Sequence, residues 1–255
     1  MNFVDLTMPL NHRWMPDQGL PTAIKSFLGP KDHEEKGMVV GSDSGTSLTL
    51  PAIFAEFRKT IRLDQVPVEK LFLRPAAVAR ISTGNRREIS KSDVEKAFND
   101  SGPAKGDAFL IVTGWGDKAH HQEEGNDYIL ESPYFSFDAA RTLAQALHEN
   151  ENDLLLTDTA VLGLPNSHII PEWFSMLPSS SAESAEARMY LHLYNSEKAK
   201  KDFAVEMEFA RQGITTVRKL VQCSQIKSQR IKVLVSPLNI VRGVASTCRV
   251  VAVEE

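Results

Sequence analysis

The chain has 255 residues, 42% of them apolar, which is enough to bury a substantial core as one large domain or two small ones; one domain is expected. A formal charge of −4 and a pI near 6.0, with acidic and basic residues interspersed, exclude any long-range pull toward nucleic acid or an anionic membrane and leave small-molecule chemistry or protein binding. Cys223 and Cys248 stand far apart without CxxC or Cys/His spacing, so neither a disulfide framework nor a cysteine zinc cluster is expected, only buried thiols in a reducing cytoplasm.

The opening "MNFVDLTMPL" has no long apolar core of a leader and contains the first strand, in "NFVDLT"; nowhere do eighteen apolar residues run together, so a soluble, cytoplasmic protein is expected. "AAVARI" (76–81) reads as a strand, and "DAFLIVTGW" (107–115) as a strand that ends in a glycine-marked turn. "SFDAARTLAQALHEN" (136–150) places apolar residues at helical spacing after a Ser/Asp start and predicts an amphipathic helix. "NDLLLTDTAVL" (152–162) returns to strand. Residues 163–200, interrupted by "PSSSAESAEA", form the most irregular stretch and predict a lid or an interface insertion. "IKVLVSPLNI" and "CRVVAVE" add two β-rich segments near the C-terminus, so the class is mixed α/β.

These pieces carry a resemblance. Asp5, Leu6, Thr7, Pro9 and Leu10, with Met15 and Pro16 nearby, match "D-L-[ST]-x-P-[LI]…M-P"; Gly106, Asp107, Leu110, Thr113, Gly114 and Trp115 match "G-D-x-x-L-x-x-T-G-W". "SPYFSFDAARTLAQ", "LLLTDTAV" and "SPLNIVRGVASTCRVVAV" match the helix entry, the strand ending in "D-T" and the C-terminal run of the same pattern. In this order and spacing they resemble the cyclase family that includes bacterial kynurenine formamidases and isatin hydrolases. The resemblance covers nearly the whole chain outside 163–200. It implies a swivelling β/β/α fold, a mixed sheet flanked by helices, assembled as a homodimer or higher oligomer.

The family's signature H-x-G-T-H-x-D-x-P-x-H falls on "DSGTSLTLPAI", with Gly45, Thr46 and Pro51 setting the register. At the metal-ligand positions stand Asp43, Ser47 and Thr49, and the general-base histidine is replaced by Ile53. A second motif, H-R-x-L-L-x-x-G-I-x-I-x-E-N-L, falls on "EMEFARQGITTVRKL" and puts Glu206 at the family's histidine and Arg218 at its glutamate. A zinc or manganese site wants imidazoles, thiolates and carboxylates, which Ser, Thr, Ile and Arg do not supply. No metal and no other cofactor is therefore expected. Arg218 is instead expected to put a fixed positive charge between Asp43 and Glu206. Drift after loss of catalysis would tend to fill such a pocket with apolar side chains, whereas these positions stayed largely polar.

His12 and Trp14, in "LNHRWMPD", lie in the segment that approaches the active site in relatives and suit a planar substrate; Trp115 is a candidate for stacking or for core packing. The adjacent His120 and His121 read as solvated surface, "SEKAKKD" (196–202) as a charged helical face, and His148, His168 and His192 as structural. Two functions from different classes follow. One is a metal-independent enzyme that hydrolyses, dehydrates or cyclises a small cyclic or carbonyl substrate, with secondary metabolism as the expected setting. In it Asp43 or Glu206 shuttles the proton, Arg218 stabilises the oxyanion, and Ser47 and Thr49 offer hydrogen bonds. The other is a non-catalytic relative that binds a ligand or a protein partner.

Overall fold

The computed structural model describes residues 1–10, 23–28, 34–39, 41–83, 87–119, 128–129, 131–163 and 203–254. In chain order the elements are β1 (Asn2–Asp5), β2 (Ala23–Leu28), β3 (Glu34–Val39), β4 (Ser47–Thr49), β5 (Arg74–Arg80), β6 (Glu88–Ile89), α1 (Lys91–Ser101), β7 (Ala108–Val112), β8 (Tyr134–Phe135), α2 (Phe137–Glu149), β9 (Leu154–Thr157), α3 (Ala204–Arg211), β10 (Thr215–Arg218), β11 (Arg230–Pro237) and β12 (Ala245–Glu254). The protein is therefore mixed α/β. The segments expected as strands at 76–81, 107–115 and 152–162 are β5, β7 and β9, and the helix expected at 136–150 is α2.

The main sheet does not stay open. Its order is β1-β12-β11-β5-β7-β9-β10-β4, and β4 pairs again with β12, so the seven strands from β12 round to β4 close into a barrel. The ten-residue β12 makes closure possible, because one of its edges serves two partners. Asn2–Asp5 pair with Val251–Glu254, and Ser47–Thr49 pair with Ala245–Thr247. The β5-β7-β9-β10 part is parallel and the rest antiparallel. β2 and β3 form a separate antiparallel hairpin, and β6 pairs with β8 in parallel.

Strand alternation splits the apolar residues between two cores. Ala76, Val78, Leu110, Leu156, Leu48, Val217, Val233 and Val250 fill the barrel. Ala77, Phe109, Ile111 and Leu155 point outward, onto Ala140, Leu143 and Leu147 of α2 and Phe209 of α3. Being apolar on both faces, β7 is buried at every residue, as expected of a parallel strand under helices. α2 starts where Ser136 Oγ accepts the Ala139 amide at 3.2 Å, an N-cap contributing about 1 kcal/mol. α1 starts at a reciprocal Ser90–Asp93 capping box and ends at Gly102.

β4 and β10 expose a different outer face. With Leu48 and Val217 turned into the barrel, Ser47, Thr49, Thr216 and Arg218 stand on the outside, where Arg218 faces Ser47 and Thr216 faces Thr49 across the pair. The adjoining β12 places Thr247 on the other side of Ser47. α3 packs against the turn Pro51–Ile53 beyond β4, which holds the beginning of α3 beside this face.

Candidate active site

The turn 41–46 delivers Asp43 onto the β4–β10 face. Gly45 sits at φ 60, a left-handed conformation that glycine adopts freely, and Thr46 locks the turn in place: its hydroxyl accepts the Met8 amide at 2.8 Å and donates to the Lys219 carbonyl at 2.7 Å. These contacts explain why the segment needs glycine and threonine even without metal ligands.

Asp43 and Arg218 meet there. Arg218 Nη2 donates to Asp43 Oδ1 at 2.9 Å and to Oδ2 at 2.8 Å, and Ser47 Oγ donates to Oδ1 at 2.6 Å. Lys219 Nζ lies 3.5 Å from Oδ2 and also donates to the Asp43 backbone carbonyl. Burial by itself would raise the Asp43 carboxyl, but Arg218, Lys219 and the Ser47 hydroxyl outweigh it and hold the group at about 2. Asp43 is thus ionised at any ordinary pH.

Glu206, in the first turn of α3, is displaced the other way. Burial raises its pKa; Arg218 and the Gly163 amide oppose that rise, and the Asp43 charge adds to it. Its Oε1 accepts the Gly163 amide at 3.3 Å, while the buried Oε2 has no hydrogen-bond partner among the described residues. The approach is close: a β-carbon on residue 163 would lie 3.2 Å from Val205 Cβ and 3.3 Å from Glu206 Oε2. Glu206 makes no ion pair with Arg218 among those described, so Arg218 does not bridge the two carboxylates as a symmetric fork. It contacts Asp43 and acts on Glu206 through space.

Of the other candidates, Ser47 is buried against Asp43, Thr49 is half-buried opposite Thr216, and Ile53 is half-buried on the turn under α3. Trp115 lies in the core, 7% exposed, donating Nε1–H to the Tyr128 carbonyl at 3.1 Å and stacking on that ring at 5.7 Å. Its described contacts favour packing over ligand stacking. The Thr113–Gly114 turn before it is pinned by buried Asp158, whose carboxylate accepts both backbone amides and the Thr113 hydroxyl at 2.7–2.8 Å. His12, Trp14, His120 and His121 lie outside the described residues, as does the expected insertion beyond Gly163.

The sequence reading missed Lys219 and Thr247. Lys219 is fully buried and adopts φ 60, a left-handed backbone that lysine seldom takes. A signal for it existed. In the motif ending "E-N-L" this position is asparagine, the non-glycine residue that best tolerates that conformation.

The matching family model, described as "Putative cyclase", covers residues 4–160. The chain belongs to the cyclase family. Solved structures similar to this family member include an isatin hydrolase bound to the product analogue thioisatinate, with 16% identity, TM-score 0.70 and coverage of 99% of this chain and 92% of that one. Isatin hydrolase A from Ralstonia solanacearum aligns at 17% identity and TM-score 0.70, covering 100% and 92%. A "potential metal-dependent hydrolase with cyclase activity" aligns at 14% and 0.67, covering 100% and 99%. No curated protein matches the sequence. At these identities the structural likeness establishes the fold alone.

The metal implied by such relatives does not fit the side chains described here. Asp43 is engaged by a guanidinium 2.8 Å away and an ammonium 3.5 Å away, Ile53 has no donor atom, and Arg218 brings a positive charge where a cation would need an anionic ligand.

Proposed function

We propose that this cyclase-family protein, a single domain of the family's swivelling β/β/α type with an insertion around 163–200, is a metal-independent enzyme. It acts by hydrolysis, dehydration or ring closure on a small cyclic or carbonyl substrate. The observation that carries this reading is the pairing, on one outer face of the barrel, of a guanidinium anchored by Asp43 with a buried Glu206 oxygen that has no partner. A polar atom left so in a folded protein is costly unless something else satisfies it, and a substrate is the natural occupant.

The two carboxyls divide the work because their surroundings push them apart. Asp43, held at about 2, orients Arg218 and takes no part in proton transfer. Glu206, raised by burial, is the group that holds and returns the proton. Arg218 supplies a permanent positive charge for oxygen-centred charge developing on the substrate carbonyl, acting where it needs no reorganisation. Ser47 holds Asp43 in place, and Thr49 and Thr247 offer hydroxyls at the rim. The isatin hydrolase among the similar structures supports a cyclic amide as the first substrate class to try.

The test is a panel of five- and six-membered lactams, imides and lactones, followed by ultraviolet absorbance and mass spectrometry for ring opening. Turnover by the wild type that Glu206→Gln abolishes supports the reading. A well-folded wild type that turns over no member of the panel, yet is stabilised by one of them, would favour a non-catalytic ligand-binding relative.

A further inference from the structure

The β4–β10 ladder has a replaced rung beside the site. The strands run antiparallel, with Thr216 opposite Thr49, Val217 opposite Leu48 and Arg218 opposite Ser47. In the same register the next pair is Lys219 opposite Thr46, and there the ladder stops, because Lys219 turns left-handed at φ 60. A side chain takes over: Thr46 Oγ1 donates to the Lys219 carbonyl at 2.7 Å and accepts the Met8 amide at 2.8 Å. A hydroxyl has one proton, so its donor role is spent on Lys219 and its orientation is fixed. The backbone is held on both sides, since the Thr46 carbonyl accepts the Cys248 amide at 2.9 Å and the Lys219 amide donates to the Thr159 carbonyl at 3.0 Å. The hydroxyl thus joins the chain three residues after Asp43 to the chain one residue after Arg218.

We propose that Thr46 is a positioning residue for the reaction: its hydroxyl sets where the Asp43 carboxylate meets the Arg218 guanidinium, and so where the guanidinium stands relative to the substrate. The inference rests on the reading of this face as the active site. Backbone pairing alone does not fix this geometry. The last backbone rung is at Ser47, whereas Asp43 lies beyond it on a turn that passes through Gly45 at φ 60, a residue with little conformational preference of its own. Lys219 holds a conformation that lysine seldom takes, and keeps it only where its neighbours enforce it. Thr46 is the side chain common to the turn and the kink. Valine has nearly its shape without the hydroxyl and leaves the two free to settle apart, whereas serine keeps the hydroxyl. Stabilisation by a preorganised charge is sensitive to small displacements of this kind.

The experiment compares wild type, Thr46→Val and Thr46→Ser as full chains, with folding checked by circular dichroism. Carbon-13 NMR of protein labelled at the aspartate carboxyls, with the Asp43 signal assigned by its loss in Asp43→Asn, follows Asp43 over pH 2–6. Steady-state kinetics follows any panel compound that is turned over. Thr46→Val should move the Asp43 titration up from about 2 toward the ordinary 3.8, and should lower kcat at least about tenfold with KM within about threefold of wild type. Thr46→Ser should restore both. A purely structural hydroxyl would lower Tm and move neither. If valine prevents folding, Thr46→Cys, whose thiol is a weak donor, takes its place with the same expectations. Asp43 titrating as in wild type in the folded valine or cysteine variant, or Thr46→Ser behaving like Thr46→Val, overturns the inference. A shifted Asp43 titration in a protein that turns over nothing in the panel sinks the catalytic reading while the hold of Thr46 on the Asp43–Arg218 pair stands; turnover whose kcat Thr46→Val leaves unmoved sinks this inference alone.

Discussion

Arg218 and Asp43, 175 positions apart in sequence, share one nitrogen and two oxygens at 2.8–2.9 Å on the outside of the barrel. The contact depends on the pairing of two strands far apart in sequence, because Arg218 reaches Asp43 only when β10 lies beside β4 with Arg218 opposite Ser47. Arg218→Ala should therefore lower kcat by about 10²–10³, the loss expected when a preorganised oxyanion donor is removed, with a smaller rise in KM. Steady-state kinetics on a substrate found in the panel checks this. A change in KM alone would assign Arg218 to ground-state binding only.

The displaced carboxyls predict opposite pH signatures. Asp43 has a folded value of about 2, below its ordinary 3.8. Its contribution is thus complete above the ordinary value and is lost as pH falls from about 4 toward 2. A shift of this size corresponds to about 2 kcal/mol. Urea unfolding of the wild type and of Asp43→Asn across pH 2–6 should show the variant less stable at pH 6, with the difference shrinking toward pH 2. A constant difference would mean that the contact adds nothing through ionisation.

Glu206 runs the other way. Its folded pKa lies above the ordinary 4.5, so the folded chain binds the proton more tightly than the unfolded one. Stability then declines as pH rises from about 4.5 through the folded value. Glu206→Gln removes the buried charge and should raise Tm at pH 8 while lowering kcat by about 10²–10⁴, as for loss of a general acid–base. Higher stability with lost turnover marks a functional group. Lower stability with unchanged turnover would mark a structural one.

Part of this was legible in the sequence and part was not. β5, β7 and α2 were readable because each carries an uninterrupted apolar run or a helical repeat long enough to show a period. β4 and β10, with three and four residues, are too short for any periodicity, and barrel closure is a matter of long-range register that no local pattern records. α1 was overlooked although Ser90 and Asp93 spell out its capping box. Asp43 and Arg218 were found because two motifs set their register. Their division of labour was not, since it depends on burial and on Lys219, whose left-handed backbone and directed ammonium are properties of the fold.

Metal addition gives a further check. A resident divalent ion would stabilise the folded state by an amount that grows with its concentration over its Kd. With Arg218 and Lys219 already on Asp43, zinc or manganese at ten times the protein concentration should leave Tm unchanged, and EDTA should leave turnover unchanged. One equivalent of metal in the purified protein by elemental analysis, lost together with activity on chelation, would refute this expectation.

Lys219 carries the last prediction, because two effects on one residue oppose each other. Its φ of 60 is strained for a lysine by about 1 kcal/mol, and asparagine would relieve much of that strain. Its ammonium, 3.5 Å from Asp43 Oδ2 and fully buried, helps hold that carboxylate ionised, and Lys219→Asn removes this help. The single variant should therefore show a small net change in Tm at pH 7, which by itself decides nothing. A double-mutant cycle with Asp43→Asn separates the two, since strain relief is the same whether or not residue 43 is charged, whereas the electrostatic contribution exists only with Asp43. The cycle should return a coupling of about 1–2 kcal/mol at pH 7 that fades as Asp43 is protonated toward pH 2. The pH at which stability falls in the Lys219→Asn single variant should also move up toward the ordinary aspartate value. A coupling near zero at pH 7 would show that Arg218 alone holds Asp43, and that Lys219 keeps its strained place for some reason other than this carboxylate.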